Sequence, residues 1–316
     1  MNNPHPPTLD ASVVIPLYKS EGSIPFLVEA LDELFKTSDS FEFIFVDDAS
    51  PDHTKLVLLD CLHHVSFPYV FVAHSRNYGE HNAVLTGYRY ARGQYIINID
   101  DDLQNPPSEA LRLLVHAREA QLDVVYGCYL QKKHALWRNV GSKVANTTAS
   151  WLLGTNPNTY LSSFRCVSAH IAQSVALYHG PYPYIDGLIS NVTTSVGSLP
   201  VQHCAREIGG SGYNPRRLIR LWLVILTSFS VMPLRLASLI GVVAFLAALA
   251  LSIILAVDFL VNGTVAPGWT STFCIIMASF GFQSLLLGVF GEYLGRVLLT
   301  VSGKPQSCVR DVVESR

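Results

Sequence analysis

Three adjacent carboxylates, Asp100-Asp101-Asp102, are followed by Leu103-Gln104 and stand directly after the apolar stretch Tyr95–Ile99. Neighbouring like charges repel, so such a cluster calls for a compensating cation. Carboxylates and a Gln carbonyl are hard oxygen ligands, which suit Mg2+ or Mn2+ rather than zinc. Magnesium commonly takes one or two carboxylates and completes its shell with phosphate oxygens and water, a description that a nucleotide diphosphate fits. The bland alternative is a solvated acidic turn capping the helix that begins near Pro106-Pro107; the position straight after a strand favours the ligand site. A second carboxylate pair lies in Val46-Asp47-Asp48-Ala49-Ser50, again at a strand end. It could hold a ribose hydroxyl or a base edge, although Asp-rich turns are common and Asp52 could simply cap the next helix.

Basic residues supply the complementary chemistry. Lys132, Lys133, Arg138 and Lys143 follow the apolar Val124–Tyr126. Arg138 and Ser142 are four apart, share a face if helical, and could hold one phosphate; a solvated basic helix is the alternative. Arg206 stands before the flexible Gly209-Gly210-Ser211-Gly212 and could meet a phosphate near a membrane boundary. No Gly-x-Gly-x-x-Gly fingerprint, Walker loop, Gly-x-Ser-x-Gly elbow or His-x-x-x-His spacing occurs, which argues against a dehydrogenase, a P-loop NTPase and a serine hydrolase of that type. The six cysteines contain no CxxC pair and fit a reducing compartment. With a net charge of -2 and a pI near 6.6, no basic field points to nucleic acid.

The elements that must position these residues alternate. Ala11–Ile15 reads as a strand ended by Pro16, and Ile24–Phe35 has helical spacing. Phe41–Val46 is a strand and Thr54–Leu62 a helix. Tyr69–Ala73 is a strand, Gly79–Tyr90 a helix, Tyr95–Ile99 a strand, Pro107–Glu119 a helix, and Asp123–Tyr126 starts another strand. This pattern predicts an α/β sheet of parallel strands with helices on both faces, whose ligands bind outside the carboxyl ends of the strands.

The 316 residues are only 15% charged, with mean hydropathy +0.30. Of the 46 charged residues only nine lie beyond residue 220. Leu236–Val257 and Trp269–Gly291 carry none and are each long enough to span a bilayer. Two buried helices of a soluble domain are the alternative. Arg216, Arg217, Arg220 and Arg235 precede the first run, and Arg296, Lys304 and Arg310 follow the second, so the positive-inside rule puts both outer ends in the cytoplasm. Pro215–Met232 mixes arginines with Trp222 and aliphatic residues and reads as an amphipathic helix in the membrane interface, broken by Pro233. The polar, proline-rich start is not a signal peptide.

Taken together, Val14-Ile15-Pro16-Leu17-Tyr18, Val46–Ser50, Ser75-Arg76-Asn77-Tyr78-Gly79, Ala91-Arg92-Gly93, Asp100–Pro107, Phe164-Arg165, Pro233-Leu234-Arg235 and Gly291–Arg296 form an ordered set. The chain carrying them resembles membrane-anchored family 2 glycosyltransferases of the polyprenyl-phosphate sugar transferase type. Bactoprenol glucosyltransferases, dolichol-phosphate mannose synthases and undecaprenyl-phosphate formamido-arabinose transferases belong there.

The resemblance implies a GT-A nucleotide-sugar-binding domain over 1–212 and an interfacial helix over 213–233. It further implies transmembrane helices over 234–261 and 269–299, an external loop over 262–268 and a cytoplasmic tail over 300–316. It implies inverting transfer of one sugar from a nucleotide-sugar, with UDP ahead of GDP, to undecaprenyl or another polyprenyl phosphate. The metal would be Mg2+ or Mn2+, and the setting the cytoplasmic face of a bacterial inner membrane, in a tetramer. By position, Asp102 and Gln104 would hold the metal and Asp100 would sit beside it near the donor sugar. Pro16, Tyr18, Glu21 and Asp48 would line the nucleotide pocket. Arg138 and Ser142 would bind the acceptor phosphate, and Arg206 would lie near both phosphates.

Three motifs depart from the family pattern: Lys19 stands where Asn is frequent, Ser162-Ser163 where Gly-Asp precedes the Phe-Arg, and Gly212 where Lys is common. The Gln-x-x-Arg-Trp motif of processive synthases is absent, which predicts a single transfer. The alternatives are transfer to another membrane lipid, such as diacylglycerol or ceramide, and a non-catalytic membrane scaffold.

Overall fold

The structure is a computed structural model that describes residues 9–37, 40–128, 161–180, 182–202, 232–262 and 268–315. The chain divides into two units, residues 1–219 with 304–316, and residues 220–303.

The first unit is built on an eight-stranded sheet. Its strands are β1 (Ala11–Leu17), β2 (Phe41–Asp47), β3 (Tyr69–His74), β4 (Tyr95–Asn98), β5 (Val124–Cys128), β6 (Arg165–Ser168), β7 (Val196–Pro200) and β8 (Val309–Glu314). Their order across the sheet is β7-β5-β6-β4-β1-β2-β3-β8. The helices of this unit are α1 (Ile24–Thr37), α2 (Thr54–Leu62), α3 (Glu80–Tyr90), α4 (Ser108–Glu119), α5 (Ala169–Ala176) and α6 (Ile185–Val192).

The central strands β4-β1-β2-β3 are parallel, as the alternation of strands and helices predicts. The sheet as a whole is mixed. β6 runs antiparallel to both β4 and β5, and β8 lies antiparallel against β3. The parallel sheet read from the sequence therefore holds for its centre, and the edges depart from it.

Buried β-branched and aromatic side chains fill both faces of the central strands, as strands covered on both sides require. On one face Ala11, Val13, Ile15 and Leu17 of β1 join Phe43, Phe45 and Phe71, and meet Leu27, Leu31 and Leu34 of α1, Leu58 of α2 and Leu113 of α4. Helix α3 packs on β1 and β2. There Gly87 backs onto Val14, and a Cβ at Gly87 would come within 2.3 Å of Val14 Cγ1.

Strand β1 continues through Pro16 to Leu17, two residues past the expected end. The Val14 carbonyl accepts from Ile99 N at 3.1 Å on the β4 side. Pro16 is the next residue facing that side, and β4 has ended at Asn98, so the missing N–H forfeits no ladder bond.

The Ala91-Arg92-Gly93 motif has a structural explanation. Buried Glu42 accepts from Ser12 Oγ at 2.6 Å and from Arg92 N at 2.7 Å, while Ser12 Oγ accepts from Gly93 N at 2.8 Å. A Cβ on Gly93 would sit 2.5 Å from backbone atoms of Ala11 and Ser12, so only glycine permits this approach to β1.

The second unit contains two long helices, α7 (Met232–Asn262) and α8 (Trp269–Val301). Within α8, Ala278–Val301 is 24 residues long, with hydropathy 1.5 and none of it buried, long and apolar enough to cross a membrane. In α7 the described apolar stretch is shorter, Ala237–Leu251. Only one of the two expected spans therefore meets the length criterion among the described residues. Many apolar side chains of both helices stand open, among them Leu260, Phe280, Leu287 and Leu298.

Candidate active site

The four parallel strands end at one edge of the sheet, and the loops leaving them are laced together. After β1, Lys19 N donates to Ser50 Oγ at 3.1 Å and Ser20 N to Thr54 Oγ1 at 2.8 Å. His53 N donates to Glu21 Oε2 at 3.0 Å. Ser20 Oγ also reaches across to the Asp101 carboxylate after β4. Three of the five non-glycine residues with positive φ in the described chain, Lys19, Ala49 and Leu103, lie in these loops at φ 59, 54 and 56°. Backbone held there by its surroundings is strain of the kind that accumulates at functional sites.

The structure brings together Pro16, Tyr18, Glu21, Asp48, Asp100, Asp102 and Gln104 at this edge. Tyr18 and Glu21 are exposed, and Pro16, Asp102 and Gln104 half-buried. Asp102 Oδ1 accepts from Gln104 N at 3.2 Å, so the Asp turns over Leu103 and the Gln side chain leaves from the same turn. Asp48 is held by neighbouring protein groups. It is 2% exposed, and its carboxylate accepts from Tyr78 N at 2.8 Å, Gly79 N at 2.6 Å and the His74 ring at 2.8 Å. It acts as a clasp between the loops after β2 and β3.

Burial, then the nearby Glu80, and then Asp102 and Asp101 push the Asp100 carboxyl up to about 7, against a hydrogen bond from Ser163. That bond, Ser163 Oγ to Asp100 Oδ2, is 2.6 Å long. Ser163 thus contacts the carboxylate cluster from the segment where the family pattern has an acid. A carboxyl so crowded by other carboxylates is one that a bound cation would return to its ionised form. The hard oxygens of Asp102 and Gln104 fit a divalent cation of the Mg2+ or Mn2+ class. Among the described residues no three His, Cys, Asp or Glu side chains converge as a metal group. A cation with two protein ligands, completed by phosphate and water, does not need three.

Sequence reasoning missed the support beneath the cluster. Arg165, 2% exposed, pairs with Asp186, 7% exposed. Asp186 also accepts from Tyr126 Oη at 3.0 Å. Arg165 Nε reaches Asn98 Oδ1 at 3.3 Å, and Tyr88 Oη donates to the same oxygen at 2.6 Å. The network holds Asn98, two residues before Asp100, and Arg165, two residues after Ser163. Phe164-Arg165 was the only legible signal of it. Arg138, Ser142 and Arg206 lie outside the described residues, as does the expected interfacial helix apart from its last two residues, which open α7.

Known proteins place this arrangement. The chain is 32% identical over 305 residues to an undecaprenyl-phosphate 4-deoxy-4-formamido-L-arabinose transferase of Photorhabdus laumondii, covering 96% of this chain and 94% of the relative. It is 32% identical over 312 residues to the Klebsiella pneumoniae protein of the same name, covering 98% and 95%. In fold it is similar to glucosyl-3-phosphoglycerate synthase from Mycobacterium tuberculosis, solved with Mn2+, uridine diphosphate and glucosyl-3-phosphoglycerate. That likeness has a TM-score of 0.51 at 17% identity, over 70% of this chain and 79% of that one, and shows a shared GT-A-like α/β fold. Residues 12–172, which contain the strand ends and the carboxylate cluster, match the family described as Glycosyl transferase family 2, and the chain belongs to that family.

Proposed function

We propose that this protein transfers a single sugar from a nucleotide-sugar, a UDP-sugar in the first instance, to undecaprenyl phosphate at the cytoplasmic face of a bacterial inner membrane, with inversion at the anomeric carbon. The observation that carries the reading is the convergence of Asp100, Asp102 and Gln104 with the loops after β1 and β2 at the carboxyl edge of the sheet. The relatives' name supplies the acceptor class. The open apolar surface of α8 is what an enzyme with a lipid substrate needs to stay at the bilayer.

The acceptor phosphate is already ionised at neutral pH, so it needs no strong base. Its oxygen attacks the anomeric carbon from the face opposite the leaving nucleoside diphosphate, and the glycosidic C–O bond to that diphosphate breaks. The protein's work is then positioning and charge neutralisation. Asp102 and Gln104 would hold a Mg2+ or Mn2+, which when bound offsets negative charge on the departing diphosphate. Asp100, oriented by Ser163, lies beside the donor sugar, and Tyr18 and Glu21 border the nucleotide. Arg138, Ser142 and Arg206 bring the acceptor phosphate in without anion repulsion. The two helices of the second unit anchor the enzyme as a multi-pass protein with both termini in the cytoplasm, and the working assembly is a homotetramer.

Radiolabelled transfer to undecaprenyl phosphate in membranes tests the assignment. Asp102→Asn should abolish transfer while membrane insertion is unchanged; near-wild-type turnover would remove Asp102 from the metal site. A labelled diacylglycerol or ceramide product would instead favour a hydroxyl acceptor, and the absence of donor-dependent nucleotide release would favour a scaffold.

A further inference from the structure

A second buried polar chain runs beside the carboxylate cluster, and the mechanism above does not use it. His74 ends β3 and is 2% exposed. Its Nδ1 is 2.8 Å from Asp48 Oδ1, and its Nε2 is 2.9 Å from Thr86 Oγ1 of α3. A carboxylate only accepts, so Nδ1 carries a proton and donates it to Asp48. Thr86 Oγ1 lies 3.3 Å from Ser307 Oγ, in the segment leading into β8. Asp48, His74, Thr86 and Ser307 thus form one line from the carboxyl end of β2 to the C-terminal segment.

The line governs the loop Ser75–Gly79. At one end Ser75 N donates to the Cys308 carbonyl at 2.9 Å. At the other, the successive amides of Tyr78 and Gly79 both donate to Asp48. Gly79 has φ +92°, a left-handed value that a side chain would strain, and it lets both amides face one carboxylate. The His74 ring meets the Tyr78 ring edge-on at 5.4 Å, and the exposed Arg76 guanidinium lies over the Tyr78 ring, 4.8 Å from its centre. His74 is therefore the side chain that sets how Asp48 holds the loop, and the loop carries an exposed cation at the edge where the substrate-binding loops converge.

We infer that His74 is a positioning residue for the donor. Acting through Asp48, it fixes Ser75–Gly79 in the shape that receives the nucleotide half of the nucleotide-sugar. Thr86 and the C-terminal segment hold the imidazole in its working orientation. This rests on the donor reading given above. The expected signature is a loss of donor affinity at nearly constant turnover, because the donor reading assigns Asp48, which holds this loop, to the nucleotide and not to the bond that breaks.

The test uses purified full-length protein in detergent. Binding of UDP and GDP is titrated in the presence of Mn2+, and steady-state kinetics are measured with the donor that the protein turns over. His74→Leu removes both ring hydrogen bonds. A hydrogen bond to a charged group lost from such a clasp corresponds to about a 10-fold rise in the dissociation constant for the nucleotide and in donor KM. The expected kcat stays within about 2-fold and lipid-phosphate KM is unchanged. His74→Asn keeps a donor near the Nδ1 position and should recover most of the affinity. Thr86→Val, which keeps the side-chain shape and removes the hydroxyl, should raise donor KM in the same direction and serves if His74→Leu does not fold.

Equal nucleotide affinity in wild type, His74→Leu and Thr86→Val would overturn the inference while leaving the donor reading intact. So would a loss confined to kcat, or an Asn variant no better than the Leu variant. A wild-type protein that binds neither nucleotide would overturn the donor reading itself, and this inference with it.

Discussion

Replacing Asp186 with Asn changes one charge and little else. The side chain keeps its volume, and its oxygen can still accept from Tyr126 Oη, now 3.0 Å away. What is lost is the counter-charge of Arg165, whose guanidinium is 2% exposed and keeps only uncharged partners, such as Asn98 and Tyr88, among the described residues. Removing one partner of a buried pair and leaving the other charged costs about 3–5 kcal/mol. For a folded unit of this size, each kcal/mol lowers the melting temperature by about 2–4 °C, so a fall of roughly 6–20 °C is expected. The assay is thermal unfolding of the full chain in detergent, followed by intrinsic fluorescence.

Adding Arg165→Met to Asp186→Asn removes the stranded charge and should return most of the lost stability. Activity is a separate readout. Arg165 stands two residues from Ser163 and contacts Asn98, so the single variant should also lose turnover at temperatures where it stays folded. A single variant that melts within about 2 °C of wild type, or a double variant no more stable than the single, would refute the claim that this pair is an interlocked buried support.

Asp100 predicts a pH effect. Its carboxyl stands at about 7, raised from 3.8 chiefly by burial and by Glu80, so between those values the folded chain holds a proton that the unfolded chain has released. In chelator, stability should therefore be full below the unfolded value and fall as pH rises toward the folded one. Asp100→Asn should flatten that slope in a series of melting curves, and an unchanged slope would refute the assignment. Gly93→Ala places a Cβ 2.5 Å from the β1 backbone and should cost more than about 1 kcal/mol in denaturant unfolding, because backbone cannot yield as a side chain can. Ser163→Ala removes the 2.6 Å bond to Asp100 and should lower turnover at neutral pH, with the optimum displaced to higher pH in a rate profile.

The strand ends were legible because chemistry and periodicity change together there. Phe41–Asp47 is apolar, apart from the buried Glu42, until its final carboxylate, and Tyr95–Asn98 leads within two residues to Asp100. Both signals are local, and both expected sites stand at the carboxyl edge of the sheet. The sheet edges were not legible for the opposite reason. β6 is four residues long, Arg165–Ser168, too short to show a period. β8, Val309–Glu314, mixes Arg310, Asp311 and Glu314 with valines and reads as a polar tail until β3 is beside it. Its exposed ion pair, Lys55 to Asp311 at 2.6 Å, joins residues far apart in the chain.

The role of Asp48 was half legible. Its place at a strand end was clear from the sequence, but its carboxylate is taken up by His74 and two amides of the next loop. Whether a strand-end Asp faces a ligand or a neighbouring loop depends on what the adjacent strand places opposite it. His74, Thr86, Ser307 and Asp186 carry no motif at all, and only burial turns them into a network.

Purified full-length protein incubated with undecaprenyl phosphate, Mn2+ and a panel of UDP- and GDP-sugars, including a UDP-activated 4-deoxy-4-formamido-arabinose, gives the decisive measurement when the lipid product is read by mass. One donor should yield undecaprenyl phosphate bearing a single sugar, with one nucleoside diphosphate released per product and no transfer by Asp102→Asn. No sugar-bearing undecaprenyl phosphate with any donor, or a sugar found only on a lipid hydroxyl, would contradict the proposed reaction.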